Sequence, residues 1–141
     1  MNVLTIGTFD GLHVGHLELL RGCRDLAGAG QVKVGVNRDE FVRRYKGRAP
    51  TNPLPHRLEM LTALQVVDAV YVNVGDEDSG LLIDVVRPDL IAIGDDWLDP
   101  EHDERRYLRQ LGITADWLTV RGLQVTYIPR TRGVSSTALR P

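Results

Sequence analysis

The sequence predicts an α/β protein with a doubly wound, five-stranded parallel sheet in a single domain. Segments with strand character alternate with helical segments along the chain, which is the pattern of successive β-α-β units. The length of 141 residues suits one hydrophobic core. No internal repeat and no low-complexity tract indicates a second domain.

The predicted strands are short apolar runs that end at glycine or at polar residues. They occupy residues 2–6, 31–36, 69–74, 90–93 and 124–128. The predicted helices occupy residues 16–27, 39–44, 55–64, 80–86, 101–111 and 115–121. Gly28 and Gly30 end the first helix, and Ser135 is a candidate cap for a last short helix. The polar segment 45–55, rich in glycine and proline, is predicted to be a mobile loop.

The composition indicates a soluble globular protein, with 43% hydrophobic and 26% charged residues. A formal net charge of −2 lacks the basic footprint of a nucleic-acid-binding protein. The single cysteine, Cys23, excludes an intrachain disulfide and is expected to be a small buried apolar residue. The N-terminus has no signal-peptide pattern, and no apolar run has transmembrane length. We therefore expect a cytoplasmic protein without a membrane partner.

The most informative segment is GTFDGLHVGH at residues 7–16, which joins the first strand to the first helix. Nucleotidyl transfer builds negative charge on the oxygens around phosphorus, so it needs well-placed hydrogen-bond donors. His13 and His16 offer two imidazoles for this purpose, and Gly15 allows close approach of a phosphate. The helix start adds backbone amides and a favourable dipole. Zinc is disfavoured because no cysteine lies near the pair, whereas Mg²⁺ carried by a triphosphate fits.

Three other segments carry candidate binding residues; two follow predicted strands, and one lies at the start of the predicted loop. We expect all three to lie near the 7–16 segment, because sheets of parallel strands bind ligands at the carboxyl ends of the strands. RTRGVSST at residues 130–137 combines arginines that grip phosphate with hydroxyls at a predicted helix start. GDDW at residues 94–97 offers backbone and carboxylate groups to a ribose or a base. RRYKGR at residues 43–48 places Lys46 where a closing loop would reach the α-phosphate, with Arg44 and Arg48 as substitutes.

Taken together, these residues resemble the glycerol-3-phosphate cytidylyltransferase family, within the cytidylyltransferase-like superfamily whose motif is His-x-Gly-His. The resemblance covers nearly the whole chain and is most specific at residues 7–16, 37–41, 56–57, 94–97 and 130–137. It implies a Rossmann-like fold, in-line displacement without a covalent enzyme intermediate, Mg²⁺ dependence and a homodimer. The substrates it implies are CTP and a small phosphorylated alcohol such as glycerol 3-phosphate, with release of pyrophosphate.

The resemblance also implies roles for individual residues. The catalytic residues would be His13, His16, Lys46 and Arg130. The nucleotide would be bound by Gly7, Thr8, Phe9, Asp10, His13, His16, Gly94, Asp95, Arg130, Thr131, Ser135, Ser136 and Thr137. The acceptor would be bound by Asp10, Asp39, Lys46 and Arg57. No residue is predicted to be a metal ligand.

Two departures from the family pattern leave the choice of nucleotide open. The family usually carries Arg-Tyr-Val-Asp before the third strand, where this chain has QVVD at residues 65–68. A tryptophan usually follows that strand, where this chain has GDED at residues 75–78. Asp10-Gly11 and this acidic loop are similar to adenylyltransferases acting on flavins or sugar phosphates, so an ATP donor is the alternative. A non-catalytic nucleotide-binding module is the second alternative, although such a module has no need for transition-state donors.

Overall fold

The protein, described here by a computed structural model over residues 1–98 and 105–129, contains a five-stranded parallel sheet flanked by helices. The strands are β1 (Val3–Gly7), β2 (Val32–Asn37), β3 (Ala69–Asn73), β4 (Leu90–Gly94) and β5 (Val125–Ile128). The helices are α1 (Val14–Ala27), α2 (Asp39–Lys46), α3 (Leu54–Thr62), α4 (Gly80–Val86), α5 (Arg105–Leu111) and α6 (Ala115–Val120). A short 3₁₀ turn, Asp95–Trp97, follows β4.

The strand order is β3-β2-β1-β4-β5, so the chain reverses direction across the sheet between β1 and β4. Such a reversal opens a crevice at the carboxyl ends of the two strands, and ligands of open α/β sheets bind there. This confirms the predicted doubly wound parallel sheet. The fold thus places the segments after β1 and β4 side by side.

The sheet is buried on both faces, which explains the nearly continuous apolar character of its central strands. Successive residues of β1 point to opposite sides. Leu4 packs into a cluster with Leu82 of α4 and Leu111 of α5. Val3 packs on the other face with Cys23 of α1. Burial raises the pKa of the Cys23 thiol to about 12, so this side chain behaves as the predicted apolar core residue.

The main difference from the predicted elements lies in the segment 45–55. Tyr45 and Lys46 belong to α2, which ends when Gly47 adopts a left-handed backbone with φ 75° and its N–H bonds to the Arg43 carbonyl. The predicted loop therefore begins two residues too early. A C-terminal glycine is the usual helix stop, so the helix uses the first one available.

The remaining elements agree with their predicted positions within a few residues. The predicted helix 101–111 is described from Arg105 onward, and the predicted cap at Ser135 lies outside the described residues. The longest described helix has 14 residues, and none in the described part of the chain has the length and apolarity of a membrane span.

Candidate functional site

A cavity of about 480 Å³ opens at the carboxyl ends of β1, β4 and β5. Its polar wall comes from the loop after β1, the start of α1 and the end of α2. Its apolar wall comes from the ends of β4 and β5, the 3₁₀ turn and α1. The residues that line it are Gly7, Thr8, Phe9, Asp10, His13, Gly15, His16, Glu18, Leu19, Tyr45, Lys46, Ile93, Gly94, Asp96, Trp97, Arg106, Ile128 and Pro129.

The two histidines form a capping box at the start of α1. The Nδ1 atom of His13, the N-cap residue, accepts a hydrogen bond from the Gly15 backbone at 3.0 Å. The Nδ1 atom of His16 accepts one from the His13 backbone at 3.2 Å. A neutral imidazole whose Nδ1 accepts a hydrogen bond carries its proton on Nε2. The capping box therefore sets both rings in the tautomer that can donate from Nε2 to a phosphate oxygen.

Gly15 is needed for this geometry in a way that differs from its predicted role. A Cβ atom at position 15 would lie 2.8 Å from Cε1 of the His13 ring and 3.0 Å from its Nδ1. The absence of a side chain therefore makes room for the imidazole, whose ring centroid lies 4.0 Å from that of His16. The sequence analysis predicted that a phosphate of the ligand approaches Gly15 closely, whereas the close neighbour in the structure is the His13 ring.

Of the basic side chains in the run 43–48, that of Lys46 lines the cavity. Its ammonium lies 5.6 Å from the ring centroid of Tyr45, whose hydroxyl is 2.9 Å from Oγ1 of Thr8. Arg44, a predicted substitute, turns away and binds Glu77 through Nε at 2.7 Å and Nη2 at 2.8 Å. The structure thus places Lys46, the last residue of α2, in the lining of the same cavity as the two histidines.

Asp10 lines the cavity, but its carboxylate already holds the chain beyond α2. It accepts hydrogen bonds from the backbone N–H groups of Thr51 at 2.6 Å and Asn52 at 2.8 Å. Partial burial acts to raise the pKa of this carboxyl, but the bonds from Asn52 and Thr51, with the positive charge of Arg57, outweigh burial and lower it. Its predicted contact with the acceptor therefore competes with two existing bonds.

Arg57, predicted to bind the acceptor, has a fully buried side chain and does not line the cavity. The guanidinium donates to the carbonyls of Thr8 and Asn37 at 2.8 Å, and to the Asn52 carbonyl at 2.9 Å. It also binds the Asp39 carboxylate at 2.6 Å. Asp39 accepts this bond and does not line the cavity. Both residues instead connect the strand ends behind the site.

The GDDW segment enters the cavity through a different carboxylate from the predicted one. Gly94, Asp96 and Trp97 line the cavity, whereas Asp95 does not. The 3₁₀ turn that starts at Asp95 changes the direction of successive side chains and brings Asp96 inward. The Trp97 ring packs on Tyr107 at 5.2 Å between centroids and lies under the Arg106 guanidinium at 5.1 Å. Packing thus fixes this wall of the cavity.

Sequence reasoning missed a buried polar chain behind Thr8. Asn73 donates to Asn37 Oδ1 at 3.1 Å and to Ser79 Oγ at 2.9 Å. Asn37 donates to Thr8 Oγ1 at 3.3 Å. These bonds link the ends of β2 and β3 to the cavity wall. The signal was present in the sequence, because both strands end in asparagine, a residue rarely buried without a partner.

The remaining predicted residues lie outside the described part of the chain. They are Arg130, Thr131, Ser135, Ser136 and Thr137. The described residues contain no group of three metal-ligating side chains. The carboxylates that line the cavity are Asp10, Glu18 and Asp96, and the backbone bonds to Asp10 leave it poorly suited to a cation. This donor set fits a metal ion held by a triphosphate and water better than a protein cage.

Comparison with known proteins places this site in a family. The cytidylyltransferase-like family matches residues 4–141. The FAD synthase of Thermococcus kodakarensis is 37% identical over 85% of this chain and 79% of its own length. The bifunctional protein HldE of Streptomyces coelicolor is 40% identical over 94% of this chain but only 26% of its own length.

A solved structure shows the same architecture. The lipopolysaccharide core biosynthesis protein of Thermoplasma volcanium superposes with a TM-score of 0.67 and 28% identity, over 91% of this chain and 95% of that one. These relatives support the superfamily and do not single out the glycerol-3-phosphate cytidylyltransferases. The chain therefore belongs to the cytidylyltransferase-like family of nucleotidyltransferases.

Proposed function

We propose that the protein transfers AMP from ATP to the phosphate of a small phosphorylated acceptor and releases pyrophosphate. The observation that carries the proposal is the His13–His16 capping box, which leaves the proton of each imidazole on Nε2 at the polar wall of the cavity. Lys46 adds a positive charge to the same wall. This set of donors suits the extra negative charge of a pentacovalent phosphorus.

The reaction needs no covalent enzyme intermediate. An anionic phosphate oxygen of the acceptor attacks the α-phosphorus and forms the new P–O bond. The bond from this phosphorus to the oxygen bridging to the β-phosphate breaks, and its electron pair leaves with pyrophosphate. The acceptor oxygen is already ionised, so no general base is required and alignment supplies much of the rate.

The relatives support ATP over the CTP predicted from the resemblance. FAD contains an adenylyl group joined to flavin mononucleotide, so a synthase that makes it by nucleotidyl transfer uses an adenylyl donor. The FAD synthase matches cover most of both chains, whereas the HldE match covers a quarter of that protein. Flavin mononucleotide is therefore the first acceptor to test, followed by sugar phosphates.

A donor and acceptor screen tests the proposal. Pyrophosphate release is measured with each of the four nucleoside triphosphates, Mg²⁺, and flavin mononucleotide, a sugar 1-phosphate or glycerol 3-phosphate. We expect ATP with flavin mononucleotide to give the highest kcat/KM. Fastest turnover with CTP and glycerol 3-phosphate would restore the donor and acceptor predicted from the resemblance. Nucleotide binding without pyrophosphate release for every pair would favour the non-catalytic module.

A further inference from the structure

Both ends of α2 are tied to one acidic loop, residues 75–79, which the proposed reaction does not use. Arg38, the N-cap of α2, donates to the two carboxylate oxygens of Asp76 at 2.9 and 2.5 Å. Arg44, near the other end, donates to Glu77 through two nitrogens. The Nη2 atom of Arg44 also reaches Asp76 Oδ2 at 3.2 Å. The helix is thus held at two points by adjacent residues.

The loop has a defined shape of its own. Asp76 adopts a left-handed backbone with φ 52°. A side chain at Gly75 would collide with the Asp78 carbonyl, and the Asp78 N–H bonds back to the Gly75 carbonyl at 3.0 Å. The Ser79 N–H bonds to the carbonyl of Leu111 at 2.8 Å. A tight turn anchored to the end of α5 can therefore hold the helix in a fixed position.

Asp76 is the stronger of the two holding residues. Its side chain is 13% exposed, whereas that of Glu77 is 61% exposed and that of Arg44 is 50% exposed. Exposed ion pairs contribute little because water screens them. The Arg38 side chain is itself 40% exposed, but its two parallel bonds to a partly buried carboxylate form a geometrically specific fork. The Arg38 side chain, followed by its charge and by Arg44, holds the pKa of Asp76 below its ordinary value. The carboxylate therefore stays charged at neutral pH.

The position of α2 matters because its last residue is Lys46. The lysine has a long flexible stem, so the place of its ammonium in the cavity depends on where the helix ends. Arg44 lies two residues before it. Phe41 and Val42 bury one face of the helix, and the bonds from Arg38 and Arg44 to the loop add fixed directions to these apolar contacts. Small displacements at a reacting centre have large kinetic effects.

We propose that Asp76 is a positioning residue, which through Arg38 and Arg44 holds the end of α2 so that Lys46 meets the triphosphate. The inference rests on the proposed function, since it assigns Lys46 to the phosphates. Asp76 itself does not line the cavity.

A double-mutant cycle tests whether Asp76 acts through Lys46. The four proteins are the parent, Asp76→Asn, Lys46→Ala and the double variant. Asparagine tolerates the left-handed backbone, so the substitution removes the charge and retains the turn. Each protein is measured twice, for kcat/KM with ATP and for the Kd of inorganic tripolyphosphate. We expect Asp76→Asn to lower kcat/KM about tenfold and to raise the Kd about tenfold when Lys46 is present. When Lys46 is replaced by alanine, each value should change by less than about twofold.

Asp84→Asn is the matched control, because Asp84 forms a similar two-bond pair with Arg121 away from the cavity. Equal losses from Asp76→Asn in both Lys46 backgrounds would overturn the proposal, as would an equal loss in Asp84→Asn. Failure of the parent to bind tripolyphosphate would also overturn it. If the parent turns over no triphosphate, the proposed reaction is wrong, but the tripolyphosphate cycle still decides the role of Asp76.

Discussion

At the scale of single residues, each histidine has two separable tasks. Its Nδ1 atom accepts a backbone hydrogen bond that caps α1, and in the proposed reaction its Nε2 atom carries the proton offered to phosphate. An asparagine oxygen can take the place of Nδ1, and a glutamine amide nitrogen can take the place of Nε2. Substitutions at His16 can therefore remove one task and keep the other.

We predict that His16→Asn lowers kcat by about 10²- to 10³-fold, the usual loss on removing one transition-state donor, while the thermal unfolding midpoint stays near that of the parent. His16→Gln should keep the parental midpoint and a higher residual kcat than His16→Asn, because glutamine at this third helical position accepts the same backbone N–H and its amide still carries N–H donors. Steady-state pyrophosphate release and thermal unfolding measure the two effects. Turnover of His16→Asn within a few-fold of the parent would remove His16 from the catalytic role.

The sequence predicted which residues face the cavity better than it predicted what they do there. His13, His16 and Lys46 line the cavity as expected, because a motif after a strand and a basic residue at a helix end have few places to go. The choice between Asp95 and Asp96 could not be made, because it depends on a 3₁₀ turn of three residues. The burial of Arg57 could not be anticipated either, because its partners lie on four separate segments.

At the scale of elements, Asp10 fastens the segment between α2 and α3. Its carboxylate accepts the backbone N–H groups of Thr51 and Asn52, so the segment that looks like a free loop in the sequence has a fixed attachment beside the cavity. The charged form makes these bonds best, which is why its pKa lies below the ordinary 3.8. A carboxyl with a lowered pKa in the folded state stabilises that state above pH 3.8 and loses this contribution as the pH falls further.

We predict that Asp10→Asn lowers the free energy of unfolding by about 1 kcal/mol at pH 7, because the amide oxygen replaces only part of a charged acceptor in a half-exposed position. The difference from the parent should shrink as the pH falls below 3.8, where the parent carboxyl begins to gain a proton. Urea unfolding at pH 7 and between pH 4 and pH 3 measures it. A difference that is constant with pH would show that the charge of Asp10 does not hold the loop.

At the scale of the whole molecule, periodicity and strand ends predicted the architecture because they reflect the layers of the sheet. Apolar strands alternating with helices can bury both faces only as a parallel sheet with crossovers. The cross-links between layers are less predictable, because they depend on which polar side chains become buried together. Arg57 makes the clearest of these, joining the ends of β1 and β2, the segment 47–53 and α2 through its five-donor guanidinium.

Arg57→Lys tests whether this cross-link supports the fold or, as the resemblance implied, the acceptor. A lysine ammonium cannot reproduce bonds in four fixed directions, and it leaves buried carbonyls unpaired. We predict a loss of about 2–4 kcal/mol in the free energy of unfolding, measured with urea, because one partner of a buried network is broken. Arg43→Lys is the control, since Arg43 is exposed and the same substitution there should change stability by less than about 0.5 kcal/mol.

Kinetic measurements on the folded fraction of the variant distinguish a role of Arg57 in the fold from a role in acceptor binding. If Arg57 supports the fold, Arg57→Lys at low temperature should keep the KM for the acceptor within about twofold of the parent, since the buried side chain does not reach it. The free energy of unfolding should still fall by the predicted amount of about 2–4 kcal/mol. A variant with parental stability and a KM for the acceptor raised tenfold or more would return Arg57 to the acceptor site and contradict its place in the core.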